Sequence, residues 1–142
     1  MILKPVTALL SGISGLAIDD TTALAQIAEA PSQRVAVAYV IPDDETGQEA
    51  GSNTGVWLQQ FIDVGIAVVI VVRPIAVRGG QAADLETYKE AIKSKLIGWQ
   101  APGSDRPTVY RGARLIGIDA GAMSMMLRFA VTLRTRVMLP QS

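Results

Sequence analysis

The sequence predicts an α+β protein built on a mainly antiparallel β-sheet, with helices packed on one face and a long C-terminal β-hairpin. Three observations carry that expectation. Branched aliphatic residues dominate residues 34–41 and 56–77, far more densely than a surface helix allows. Residues 83–97 repeat apolar side chains at helical spacing, and residues 122–137 alternate apolar and polar side chains at strand spacing. Hydrophobic residues form 49% of the 142-residue chain and aromatic residues only 5%, so the core has to be assembled from Val, Ile, Leu, Ala and Met. No linker or repeat divides the chain, and residues 1–142 are expected to form one domain.

The elements follow in order. Leu3, Val6, Leu9, Leu10 and Ile13 recur at helical spacing, with Pro5 tolerated in the first turn, and predict a helix over about residues 2–11 that Gly12 and Gly15 end. After an extended piece at Leu16, Ala17 and Ile18, the side chains of Asp19, Asp20 and Thr21 offer N-caps to a second helix whose Leu24, Ile27 and Ala28 share a face, and Pro31 stops it. Residues 34–41 read as a buried strand between Pro31 and Pro42. Residues 42–55 are polar, acidic and rich in glycine, and predict an exposed, mobile loop. Residues 56–77 read as two strands, or as one long strand bent by a bulge near Asp63 and Gly65. After a turn at Arg78-Gly79-Gly80, Leu85, Tyr88, Ile92 and Leu96 form the apolar stripe of a helix over residues 83–97. Its charges follow the helix dipole, with Asp84 and Glu86 early and Lys93 and Lys95 late, and Gly98 is placed for a left-handed cap. A loop at residues 101–107 leads to strands over 108–118 and 122–137, joined around residues 119–121. In the last strand Met123, Met125, Leu127, Phe129, Val131, Leu133 and Val137 share the core face. Ser124, Met126, Arg128, Ala130, Thr132, Arg134 and Arg136 take the other, expected to meet water or a partner.

Cysteine and histidine are both absent. Disulfides, thiolate nucleophiles, ordinary zinc sites and histidine bases are thereby excluded. Gly12-Ile13-Ser14-Gly15 resembles a nucleophile elbow but lacks one residue, and no histidine activates Ser14. Ser94 and Lys95 are adjacent on a helix and point apart, and the glycines at 112, 117 and 121 fit no phosphate-binding pattern. The acids Asp43, Asp44, Glu45 and Glu49 miss the spacing of a calcium loop and read as a solvated acidic segment. No cofactor is expected. An enzyme reading would rest on carboxylates such as Asp63 and Asp119, both at expected bends.

The N-terminal stretch, broken by Pro5, Thr7, Ser11 and Gly12, predicts no cleavable leader, and the most apolar run, Val64 to Val72, is nine residues long, too short to cross a bilayer. Cytosolic synthesis and no membrane partner are expected. Net charge is zero, yet residues 1–65 hold two basic and eight acidic side chains and residues 66–142 hold eleven basic and five acidic ones. Arg128, Arg134 and Arg136 on the last strand, with Arg111 and Arg114 on its neighbour, form a basic stripe. Such a chain suits head-to-tail contact between copies or with another protein, the stripe meeting Asp43, Asp44, Glu45 and Glu49 of a neighbour. A nucleic-acid module would add positive net charge or stacking aromatics. Trp57 is a candidate partner anchor, and Trp99 reads as core.

The order of elements and several local sequences resemble the tail-terminator proteins of tailed bacteriophages. The resemblance runs over nearly the whole chain: the N-terminal helix, the extended piece and second helix, the strand ending Ala38-Tyr39-Val40, and the polar loop with Asn53. It continues through Val68-Val69-Ile70-Val71-Val72, the helix ending Leu96-Ile97-Gly98-Trp99, a Pro-containing loop, Val109-Tyr110-Arg111-Gly112 and the closing strand. It implies a virion protein made in the host cytoplasm and assembled as a homohexameric ring on the finished tail tube. Such a ring stops tube growth and offers a docking surface to the head-tail connector or neck, while DNA passes its lumen without specific binding. Other short phage neck or head-completion proteins, or a small binding module, are the competing readings, and ligand-independent oligomerisation separates the assembly reading from the binding module.

Overall fold

The structure is a computed structural model in which residues 3–20, 36–49, 52–53, 57–73, 81–119 and 122–138 are described. Its elements run α1 (Leu3–Leu10), β1 (Ala17–Asp20), β2 (Ala36–Gly47), β3 (Ser52–Asn53), β4 (Trp57–Val72), α2 (Gln81–Leu96), β5 (Val109–Asp119) and β6 (Ala122–Met138). The fold is α+β, as the sequence predicts. The strand order is β1-β2-β4-β6-β5, with β3 also on β4. β1 and β2 are parallel and every other pair is antiparallel.

β4 and β6 form the spine, paired without interruption from Trp57↔Met138 to Val72↔Met123. Side chains paired across a ladder share a face. One face therefore collects Ala38, Val40, Ile66, Val68, Ile70, Leu127, Phe129 and Val131, and both helices cover it, through Leu3, Val6 and Leu10 of α1 and Leu85, Ile92 and Leu96 of α2. Phe129 is fully buried, and its ring lies 5.4 Å from that of Tyr110. Trp99 packs against this core, as its sequence position suggests. The other face holds a second buried cluster of Val37, Tyr39, Ile41, Ala67, Val69, Val71 and Met126.

Local chemistry explains the ends of the helices. α1 closes with the Thr7 carbonyl accepting from both the Ser11 backbone N–H at 3.1 Å and the Ser11 hydroxyl at 2.7 Å. Gly98 ends α2 at φ 83°, the left-handed cap that a side chain would strain, and its N–H donates to the Thr108 carbonyl at 2.9 Å. α2 opens two residues earlier than predicted, so Glu86 moves beyond its first turn.

Three expectations are corrected. Residues 42–55 are not a free loop throughout: β2 continues to Gly47, pairing Glu45, Thr46 and Gly47 with Val64, Asp63 and Ile62, and Ser52 and Asn53 pair with Gln59 and Leu58. Ladder bonds to β4 outweigh the weak strand propensity of these polar residues. The irregularity expected in residues 56–77 lies on the partner instead. β4 is one strand, and β2 bulges between Pro42 and Glu45. On β6 the face expected to meet water or a partner grades from buried Met126, Ala130 and Thr132 to exposed Arg134 and Arg136, because the sheet has apolar packing on both faces at its centre. The expected second helix, the turn at residues 78–80 and the hairpin turn at residues 120–121 lie outside the described residues.

Candidate functional site

The β2 bulge builds the site. Moving from Pro42↔Ile66 to Glu45↔Val64, β2 spends one residue more than β4. The extra residue brings the Asp43–Asp44 backbone against Gly65, where an added Cβ would collide with the Asp44 carbonyl oxygen. Glycine at 65 permits this approach, and the bulge turns the Asp43 carboxylate over β4 toward Arg128 of β6. The Arg128 Nε donates to Asp43 Oδ2 at 2.7 Å.

Beside that pair, Asp63 of β4 gathers three donors. Its Oδ1 accepts from Thr132 Oγ1 at 2.8 Å and from Gln48 Nε2 at 3.0 Å, and its Oδ2 lies 3.4 Å from the Arg111 guanidinium. Gln60 Nε2 in turn holds the Gln48 carbonyl at 2.7 Å. Asp43, Asp44, Thr46, Asp63, Gly65, Arg111, Arg128 and Ala130 line a cleft of about 60 Å³. Burial alone would raise the Asp43 carboxyl. The Arg128 hydrogen bond, the Asp44 backbone and the charges of Arg128 and Arg111 outweigh it and hold the carboxyl below its ordinary value. Hydrogen bonding to Asp43 raises Arg128 in return.

The same face extends toward the far end of β6. Arg134 lies 3.7 Å from Asp105, whose backbone N–H donates to the Thr132 carbonyl at 2.8 Å. Arg106 stacks over Phe61 at 4.5 Å and Arg136 over Trp57 at 4.9 Å. Arg128, Arg134 and Arg136 share a face, as their spacing requires, and Arg114 joins it through its pairing with Met126. The structure thus brings Asp43 to Arg128 within one chain, while Asp44, Glu45, Glu49 and Arg114 make no ion pair among the described residues. Asp105, Thr132 and Gln48 belong to this network and were not among the charged residues expected at a contact surface. Only the β4–β6 register places Thr132 beside Asp63, and nothing in the spacing of the residues signals it.

Chemistry finds little purchase here. Asp63 pairs with Thr132 on β6, whereas Asp119 pairs with Ala122, about 30 Å further along the same strand at ~3.3 Å per residue, so the two positions stand far apart on the sheet. Ser14 is exposed, and the Ser94 hydroxyl donates to the Ala91 carbonyl at 2.9 Å. Among the described residues no group of three or more carboxylates converges on a point that could hold a metal ion, and no helix is long and apolar enough to cross a membrane. What the arrangement offers is a semi-exposed, charged surface.

A chain in the virion of a native gene transfer agent particle is similar over 92% of this chain and 84% of its own, at 16% identity and a TM-score of 0.48. Comparison with curated proteins gives no significant match. The phage tail terminator protein family matches residues 8–138, from the middle of α1 to the end of β6. The chain belongs to the phage tail terminator family and is a structural component of a phage tail.

Proposed function

We propose that the protein assembles as a homohexameric ring on the end of the tail tube, stops tube polymerisation and presents the surface to which the head-tail connector or neck protein docks. The observation that carries this reading is the segregation of charge across one sheet within a family of tail terminators. On the β5–β6 hairpin Arg114 and Arg136 stand exposed with no ion pair among the described residues, and Asp44, Glu45 and Glu49 lie exposed on and just after β2, across β4 from it. A subunit with basic and acidic sides suits ordered contact with a neighbour or with the adjoining tail and neck proteins.

DNA passes the lumen without specific binding. Arg111, Arg128 and Arg134 are already neutralised by Asp63, Asp43 and Asp105, which leaves fewer guanidinium groups free for phosphate. The role needs no catalysis and no cofactor. Light scattering across protein concentration and salt, with and without purified tail tubes, tests the proposal. A ring mass, or a monomer that forms rings on the tubes, is expected. A monomer indifferent to concentration and to tubes overturns the reading.

A further inference from the structure

Among the described residues the sheet ends in β1 on one side and β5 on the other, and neither has a second strand partner. On β5, Val109, Arg111, Ala113, Arg114 and Leu115 are exposed. On β1, Asp19 is exposed.

Register links these two edges. Arg114 pairs with Met126, Met126 with Val69, Val69 with Tyr39, and Tyr39 with Asp19. Arg114 and Asp19 therefore stand on the same face at the same height, on opposite edges, with opposite charge. Neither makes an ion pair among the described residues. The next row repeats the match in apolar form: Leu115, Met125, Ile70, Ala38 and Ile18 are paired in series, ending at 51% exposed Leu115 and half-buried Ile18.

Strand direction agrees with this. β1 runs parallel to β2, and three antiparallel steps lead from β2 through β4 and β6 to β5, so β5 runs opposite to β1. A second copy laid beside the first to continue the sheet sets β5 against β1 in the antiparallel sense. Bulges at Tyr110/Gly112 and Leu115/Gly117 leave a regular stretch of β5 from Gly112 to Leu115, as short as four-residue β1.

We propose that copies of this chain join edge to edge, β5 of one adding as an antiparallel strand to β1 of the next, with Arg114 against Asp19 and Leu115 against Ile18 of that copy. The proposal rests on the ring reading above and names its interface. Two different edges meet, so association is head to tail and closes when the rotation per copy allows.

Charge exchange tests it. Arg114→Asp and Asp19→Arg are each expected to raise the protein concentration needed for assembly by about tenfold or more, and the double variant to recover most of that loss. Single variants that assemble like the parent, or a double variant as weak as the singles, would overturn the edge. A second readout does not depend on charge. The chain has no cysteine, so Ile18→Cys and Leu115→Cys placed in one chain give the only thiols. Within a copy they lie four strand spacings apart, about 19 Å, against a bridging limit of about 7 Å. Mild oxidation should give a ladder of linked copies on non-reducing gels. Monomer alone, from a sample that scatters as a ring, overturns the edge and leaves the ring standing. A parent protein that never assembles, with tubes or without, overturns both.

Discussion

Asp43 illustrates how a side chain whose charge is legible in the sequence takes its intrachain partner only from the fold. Its acidity and its place after Pro42 marked a contact surface, yet its partner is Arg128 of the same chain, brought within 2.7 Å by the bulge. Asp43→Asn removes the charge partner of Arg128, whose side chain stays partly exposed, and a small loss is expected in denaturant unfolding at neutral pH. The sign of the pH dependence follows from the lowered carboxyl. Its contribution is fully present above its ordinary value of 3.8 and is lost as pH falls through the lower folded value. The parent's margin over the variant should therefore shrink on acidification below about pH 4. A margin that stays constant to pH 2 would show that the carboxylate charge is not its source. The spacing places Asp63 at a bend. It is a strand residue whose carboxylate is occupied by Thr132, Gln48 and Arg111, from three other segments of the chain.

Elements were legible where one periodicity prevailed. α2 announced itself by its stripe and its cap, and β6 by alternation. The polar end of β2 did not, because Asp43 to Gly47 carry little strand propensity, and only pairing with β4 makes them a strand. The same pairing predicts where the fold is firmest. β4 is laddered on both sides through its buried half, Ile66 to Val72, whereas α1 has eight residues, fewer than a helix needs to persist without packing. Amide exchange should be slowest at Val68, Val69 and Ile70 and at Leu127 and Phe129, and at least about tenfold faster along α1. Equal protection in α1 and β4 would contradict this ranking.

At the scale of the whole molecule, β4 and β6 bind the acidic first half of the sequence to the basic second half, and one helix from each half seals the same face. We propose on that ground that residues 1–142 unfold as a single domain. Far-ultraviolet dichroism and the fluorescence of Trp57 and Trp99 should report coincident transitions, and separated midpoints would divide the chain. The sequence by itself determined the fold class, the order of most elements, the charged stripe on one face of β6 and the likeness to tail terminators, because periodicity, composition and local order are written along the chain. Tertiary structure alone decided the rest: that the stripe is largely neutralised from within, that a bulge on β2 builds the cleft, and that Arg114 and Asp19 stand level on opposite edges. Each depends on strand register, which is set by long-range pairing, and a shift of one residue would send every one of those side chains to the other face.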